Sequence, residues 1–437
     1  MGTIEPTRAA VVAADGAARP QGAGTALAPE GAHVGPGFIT AITGAYFGTW
    51  LALLPATTVT LALRVQQIAP HHKASALSLV LTTGAVVALL AQNIFGALSD
   101  RTTSRFGMRR PWITAGALLG VLSLGLLATA SSVAMVVLAW ALVQLAFNIL
   151  LAGLNPVIPD HVPSAQMGRV SAITQLTSQL GVVGGAFLAQ LFLPDLTLAI
   201  LLPGLVCLAG VGIFMFVLRD RRLDPADRRP LRLKSLVLAY WVNPRTAPDF
   251  AWAWLSRFLI FCGSATLAGY QTYFLMSRFG YTQSTVGEAV FKVLLINTVA
   301  VVLTSVLFGA ISDRLSRRKP FVMISAGVLA LAHVLAAYSH SMPTYLVATA
   351  IGGIATGCYL SVDMALVTEV LPSRDETGKD MGVFHLANVL PQTLIPAVAP
   401  LFLAIGGHGE NYPAFFLAGA VMGIAGALCI QRVRSVR

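Results

Sequence analysis

The chain has 437 residues, 56% of them hydrophobic and only 11% charged, and 29 Lys and Arg against 18 Asp and Glu give it a formal net charge of +11. Soluble domains run near about 45–50% apolar and about 25% charged, so this composition excludes an ordinary soluble fold. Runs of about 20 mainly apolar residues, enough to cross about 30 Å of hydrocarbon at about 1.5 Å per residue, recur along nearly the whole sequence, and such continuous runs are not the short alternating segments of a membrane β-barrel.

In chain order, residues 1–35 are rich in Ala, Gly and Pro and read as a disordered cytoplasmic tail without the pattern of a signal peptide. Six spans follow within 36–218, at 37–62, 74–98, 111–130, 133–157, 169–193 and 197–218. The stretch 219–250 is the longest internal polar segment and carries eight basic residues, which reads as a cytoplasmic linker. Six more spans fill 251–431, at 252–276, 285–311, 320–338, 343–367, 380–405 and 411–430, before a short tail, 432–437.

The surplus of positive charge could suggest nucleic acid, but its placement argues otherwise. With alternate loops assigned to the two sides, 24 of the 29 Lys and Arg fall on one side; Arg64, Lys73 and Arg278 fall on the other, and Arg257 and Lys292 lie within spans. This is the positive-inside bias, which places both termini in the cytoplasm of a multi-pass cell-membrane protein. No nucleic-acid partner is expected. Cys207, Cys262, Cys358 and Cys429 are scattered in apolar spans without metal-ligand spacing, so neither a disulfide framework nor a metal site follows.

The stretch GALSDRTTSRFGMRRPW, residues 96–112, nearly repeats as FGAISDRLSRRKP, residues 308–320. Phe95-Gly96 and Ser99-Asp100-Arg101 recur as Phe308-Gly309 and Ser312-Asp313-Arg314, shifted by 213. Asp160-His-Val-Pro163-Ser164 recurs as Glu369-Val-Leu-Pro372-Ser373, shifted by 209. The reading is two parallel six-helix halves related by an axis along the membrane normal, with a central site exposed alternately to each side as one half rocks against the other.

These motifs resemble the signature loop of the major facilitator superfamily. The longer form SDRTTSRFGMRRPWI, with GKDMGVFHLANVLPQ at 378–392, resembles the sucrose/proton symporters and their glycoside-cation relatives. The resemblance implies an all-α membrane protein of twelve helices in two pseudo-symmetric halves. Where the sucrose symporters carry an aspartate and an arginine in span four, this chain has Gln144 and Asn155, with Asn148 at a polar position between them.

The resemblance also places Asp100 at the start of span eleven and Asp313 at the start of span five, where unpaired helix N–H groups attract an anion. Gly96, Asp100, Arg101, Arg109, Gly309, Asp313 and Arg314, together with Asp160 and Glu369 near helix ends, are expected to form a conformational latch. Arg105 and Arg110 belong to the same basic cluster.

Ionisable residues inside a span cost about 2.5–3.5 kcal/mol each and need a partner or a cavity. Glu288 and Lys292 share a face of span eight four residues apart, as a structural ion pair or as coupling residues. Asp363 in span ten has no neighbour of opposite charge in sequence and reads as a proton site or a gate. Arg257, five residues past Trp252, reads more as a snorkelling anchor than as a substrate contact. His385 on span eleven is a candidate for proton transfer.

A neutral polyhydroxyl ligand calls for amides and an aromatic face. Tyr46 with Trp50, Tyr270 with Tyr273, Gln144 with Asn148, Gln175 with Gln179, and Asn388 with Gln392 pair along helix faces, and Gln271 adjoins Tyr270. Asn155 completes the set. No phosphate loop is present, so no ATP-driven step and no cofactor is expected, and no constellation reads as an enzyme. The leading expectation is proton- or sodium-coupled symport of a sugar or glycoside by a monomer in the lipid bilayer. An exporter of an amphipathic small molecule is the alternative, and a non-transporting assembly or pigment-handling factor a more remote one.

Overall fold

The computed structural model describes residues 33–193, 195–224, 226, 242, 244–245, 247–315, 318–370, 377–406 and 410–434; the side chains of 313, 364–365, 368–369, 377–379 and 381 are outside that description. Most of the expected N-terminal tail and linker, and the side chains of Asp313 and Glu369, therefore lie outside the described residues.

Among the described residues, twelve helices are long and apolar enough to cross a membrane. They are α1 (Pro36–Ile68), α2 (Pro70–Ser99), α3 (Arg110–Ala128), α4 (Val133–His161), α5 (Ser164–Phe192) and α6 (Leu196–Val217). After the linker come α7 (Pro248–Gly269), α8 (Val286–Leu315), α9 (Lys319–Ala337), α10 (Met342–Val370), α11 (Thr377–Leu403) and α12 (Tyr412–Gln431). The largest departures from the expected boundaries are in the first and seventh spans. α1 runs six residues beyond the expected end, because the backbone passes Pro55 as a π-turn over Ala56–Thr60, a local adjustment to the N–H that proline lacks. The seventh span breaks at Tyr270 and resumes as Gln271–Phe279, so a fresh helix start lies within it.

The internal repeat is visible atom by atom. Arg109 donates through Nη1 to Ser99 Oγ at 2.9 Å, and Arg318 does the same to Ser312 Oγ at 2.6 Å. One residue on, Arg110 holds the Met215 carbonyl at the exit of α6 at 2.7 Å, and Lys319 holds the Val433 carbonyl at the exit of α12. In both halves a cation at the start of the third helix thus ties down the end of the sixth.

Small residues set the closest helix contacts. A Cβ at Gly353 would stand 2.7 Å from the Asn297 carbonyl, and one at Gly357 would stand 2.5 Å from the Val301 carbonyl, so α10 lies directly on the α8 backbone through a Gly-x-x-x-Gly face. Gly357→Leu must push two helices apart. It is expected to destabilise the protein by roughly 1–3 kcal/mol or more, read as a lowered melting temperature in detergent.

Among the described residues, the polar contacts between the two halves cluster on one side. Every hydrogen bond and ion pair between them among the described residues lies away from the linker. Ser78 donates to the Pro396 carbonyl at 2.6 Å, Tyr273 to Ala62 at 2.8 Å, Thr272 to Thr58 at 2.6 Å and Tyr270 to Ala74 at 3.2 Å, while Lys73 pairs with Glu410 at 2.9 Å. Thr82 adds a longer bond to Thr393. Hydroxyls that seek backbone carbonyls in this way weld helix ends together, and the conformation is sealed on the side opposite the linker.

Candidate functional site

Within the C-terminal half, rather than at the expected site between the halves, α7, the helix after its break, α8, α9 and α10 line a partly open chamber of about 210 Å³. Its polar lining is Ser264, Gln271, Asn297, Thr349, Thr356 and the Tyr345 ring edge, and the rest of its lining is apolar; no lining side chain is charged. Gln271 opens the helix that follows the Tyr270 break, is 7% exposed, and its Nε2 has no hydrogen-bond partner. A buried amide donor without a partner is costly, so it marks where a ligand oxygen or water would be held. The hydroxyls of Ser264, Thr349 and Thr356 give their protons to carbonyls of their own helices and keep lone pairs for a ligand donor.

A second cluster lies nearer the linker side. Arg257 on α7 and Asp363 on α10 form an ion pair at 2.6 Å, with side chains 8% and 4% exposed. The guanidinium lies 4.8 Å from the Phe384 ring centre and 5.4 Å from that of Phe261, an aromatic clamp that compensates part of its lost hydration. The pair is incompletely satisfied: Arg257 Nε and Asp363 Oδ1 have no hydrogen-bond partner. The carboxylate that has no partner in its own sequence neighbourhood has one 106 positions away. The expected snorkelling anchor at Arg257 gives way to a buried pair, because α7 turns this residue inward between two phenyl rings. His385 follows Phe384 and is exposed on the α11 face that also carries Gln392, one turn from Asn388, whose Oδ1 lacks a partner.

The N-terminal half supplies the other expected amides in a different arrangement. Tyr46 donates to Asn155 Oδ1 at 3.0 Å, joining α1 to α4. Asn148 donates to the Gln144 carbonyl at 2.7 Å, and Trp50 backs onto Gly181 of α5. Gln175 is exposed on α5 and Gln179 is half-buried one turn on. Tyr270 and Tyr273, expected to face a ligand, are 1% exposed in the seal between the halves, with Lys73 standing over the Tyr273 ring. Their hydroxyls find carbonyls of the other half, which removes them from any cavity.

Glu288 and Lys292 do pair, at 2.6 Å, yet both side chains are more than half exposed. Leu295, Val299, Leu303 and Val306 continue the same exposed stripe at helical spacing, so the pair lies on the outer, apolar face of α8 rather than in a cavity. Both charges can snorkel from there to the membrane surface.

Of the expected latch residues, Asp100 at 2.7 Å and Asp160 at 3.1 Å pair with Arg109, whose side chain is 6% exposed; these pairs lie within the N-terminal half rather than reaching span eleven. Arg101 bonds the Ala97 carbonyl, Gly96 and Gly309 lie on the helices that enter the two loops, and Arg314 is exposed. Asp220, which drew no attention in the sequence, accepts the backbone N–H groups of Arg109 and Arg110 at 2.7 and 2.8 Å and caps α3. Its only sequence signal is an acid among five basic residues of the linker entry.

Comparison with known proteins completes the description. The chain is 32% identical over 122 residues to the multidrug resistance protein MdtL of Shewanella sp. (strain ANA-3), a match that takes in 28% of this chain and only 29% of that protein. A POT family transporter solved with 5-aminolevulinic acid superposes with a TM-score of 0.71 at 13% identity, covering 90% of this chain and 95% of the other. The nucleoside transporter NupG superposes with a TM-score of 0.67 at 15% identity, covering 91% and 98%. A bacterial homologue of the human lysosomal transporter Spinster does so with 0.64 at 15%, covering 92% and 96%. The family profile of the Major Facilitator Superfamily matches residues 38–296 and 253–436. Twelve helices, an internal repeat and a profile that takes in both halves lead to one conclusion: the chain belongs to the Major Facilitator Superfamily, a family of membrane transporters.

Proposed function

We propose that the protein carries an uncharged, hydrogen-bonding solute with an apolar face, a glycoside being the best fit, in symport with a proton that binds at Asp363. The observation that carries the solute class is the chamber: amides and hydroxyls without a charge, led by the unpartnered Gln271 Nε2, set among apolar walls. A ligand charge would be stranded there at a cost of several kcal/mol. The proton site rests on the half-satisfied Arg257–Asp363 pair, the most deeply buried charge cluster among the described ion pairs. Protonating Asp363 would release Arg257 from α10 and loosen the C-terminal half.

The positive-inside bias supports reading the linker side as cytoplasmic, and on that reading the conformation described is the inward-facing one, in a cell membrane. The second reading, export of an amphipathic molecule, is favoured by the apolar share of the chamber wall and by the MdtL match.

A binding panel separates the two. Protein in lipid nanodiscs is expected to be stabilised against heat by neutral glycosides, and Gln271→Leu is expected to weaken that binding about tenfold, the value of one donor to a buried acceptor. Stabilisation by lipophilic cations alone would replace the glycoside reading with export.

A further inference from the structure

The chamber continues past its narrow end. A smaller cavity of about 20 Å³, lined in part by Phe261, Ser264, Ser325, Thr356 and Tyr359, shares Ser264, Leu329 and Thr356 with the larger one. It stops beside the ion pair: Tyr359 lies one turn before Asp363 on α10, and Phe261 is the ring stacked under Arg257. About 10–15 Å³ of such space suffices for one water, so the small cavity has room for one and the chamber for several.

We propose that these two cavities form a hydrated passage inside the C-terminal half, through which Asp363 gains and loses its proton. This rests on the reading of Asp363 as the coupling carboxylate. The residue is 3% exposed, and the Phe261 and Phe384 rings flank its partner Arg257. Gln271 Nε2, which lacks a partner, belongs to the chamber wall, and Asp363 Oδ1 and Arg257 Nε, which also lack partners, lie beyond the small cavity, next to its lining residues Tyr359 and Phe261. Between them Ser264, Thr356 and Ser325 give their protons to their own helices, at 3.2, 2.9 and 2.8 Å, and offer lone pairs to water. The Tyr359 hydroxyl is the last group before the carboxylate.

The step is a proton transfer alone. A hydrated proton entering the chamber passes from water to water, the last water gives a proton to the Tyr359 hydroxyl as that hydroxyl gives its own to Asp363, and carboxylate becomes carboxylic acid while the guanidinium keeps its charge.

Infrared difference spectroscopy of the protein in lipid after a pH jump tests this. The C=O stretch of a protonated carboxyl is expected to rise in the wild type and to be absent in Asp363→Asn. Ser325→Val narrows the small cavity and Tyr359→Phe removes its last hydroxyl, and neither residue lines the chamber. The rise of the Asp363 band is expected to slow by about tenfold or more in at least one of them at unchanged final amplitude. Wild-type rates in both variants would overturn the passage and leave the coupling reading standing. Absence of any Asp363-dependent band in the wild type would overturn the coupling reading and the passage with it.

Discussion

Replacing Arg257 by alanine is expected to abolish accumulation of solute and to destabilise the protein by about 3–5 kcal/mol, because it strands Asp363 as a buried charge with no counter-ion. The carboxyl is 4% exposed, and no other described cation lies within ion-pairing distance of it. Most of that penalty is the cost of an unpaired charge rather than the worth of the bond, so removing both charges is predicted to restore stability. The double variant Arg257→Met with Asp363→Leu should melt within a few degrees of the wild type. It should still exchange solute down its gradient and fail to concentrate it. Thermal unfolding in detergent and solute counterflow in liposomes check the two halves of this statement. A double variant as unstable as Arg257→Ala would mean that the aromatic clamp, not the charge balance, holds this part of the bundle.

Arg109 carries the second large effect. Its guanidinium is the hub of three contacts, to Ser99, Asp100 and Asp160, and its backbone N–H is held by Asp220. Arg109→Ala leaves Asp160 without its cation and frees the entry to α3 from the end of α2. Turnover is expected to fall about 10- to 100-fold, with solute affinity changed by less than about threefold, since no latch residue lines the chamber. Asp100 has the more exposed side chain of the two acids, so Asp100→Asn is expected to act in the same direction and more weakly. Equal losses of affinity and turnover would place these residues in the binding site instead. The measurement is the dependence of uptake rate on solute concentration.

Much of the architecture is legible in the sequence because a membrane restricts the options so severely. Hydrocarbon thickness fixes span length, and the charge-rich stretch 219–250 divides the spans six and six. The repeat of Ser99 and Arg109 at Ser312 and Arg318 needs only alignment by eye, and the structure gives it matching hydrogen bonds. The Glu288–Lys292 pair is local, four residues apart, so its existence is readable; which face of α8 it occupies depends on how the neighbouring helices pack.

The ion pair of the site is the opposite case. Arg257 and Asp363 sit on helices that are apart in the sequence and adjacent in the bundle, and each is a lone charge in its own span. Periodicity carries no information about such partners. The break at Tyr270 is equally silent, since Gly269 is one glycine among many in the apolar runs, yet it is what turns Gln271 into the chamber while Tyr270 and Tyr273 go to the seal. Ser264, Asn297, Thr349 and Thr356 are spread over three mainly apolar helices, and their convergence is a property of the tertiary packing alone. Asn297 is the one that sequence reading could have singled out, as the amide in α8 four residues before Val301 and facing the Gly-x-x-x-Gly strip of α10.

The proposed transport cycle requires coupling between a proton at Asp363 and a neutral solute in the chamber. Its most direct test is uptake of labelled mono- and disaccharides and glycosides by purified protein in liposomes, with an inward proton gradient, for the wild type and Asp363→Asn side by side. The account predicts that the wild type accumulates at least one of these solutes above its external concentration, that collapsing the proton gradient ends the accumulation, and that Asp363→Asn exchanges the same solute without ever concentrating it. Accumulation by Asp363→Asn equal to that of the wild type, or wild-type uptake indifferent to the proton gradient, would contradict it.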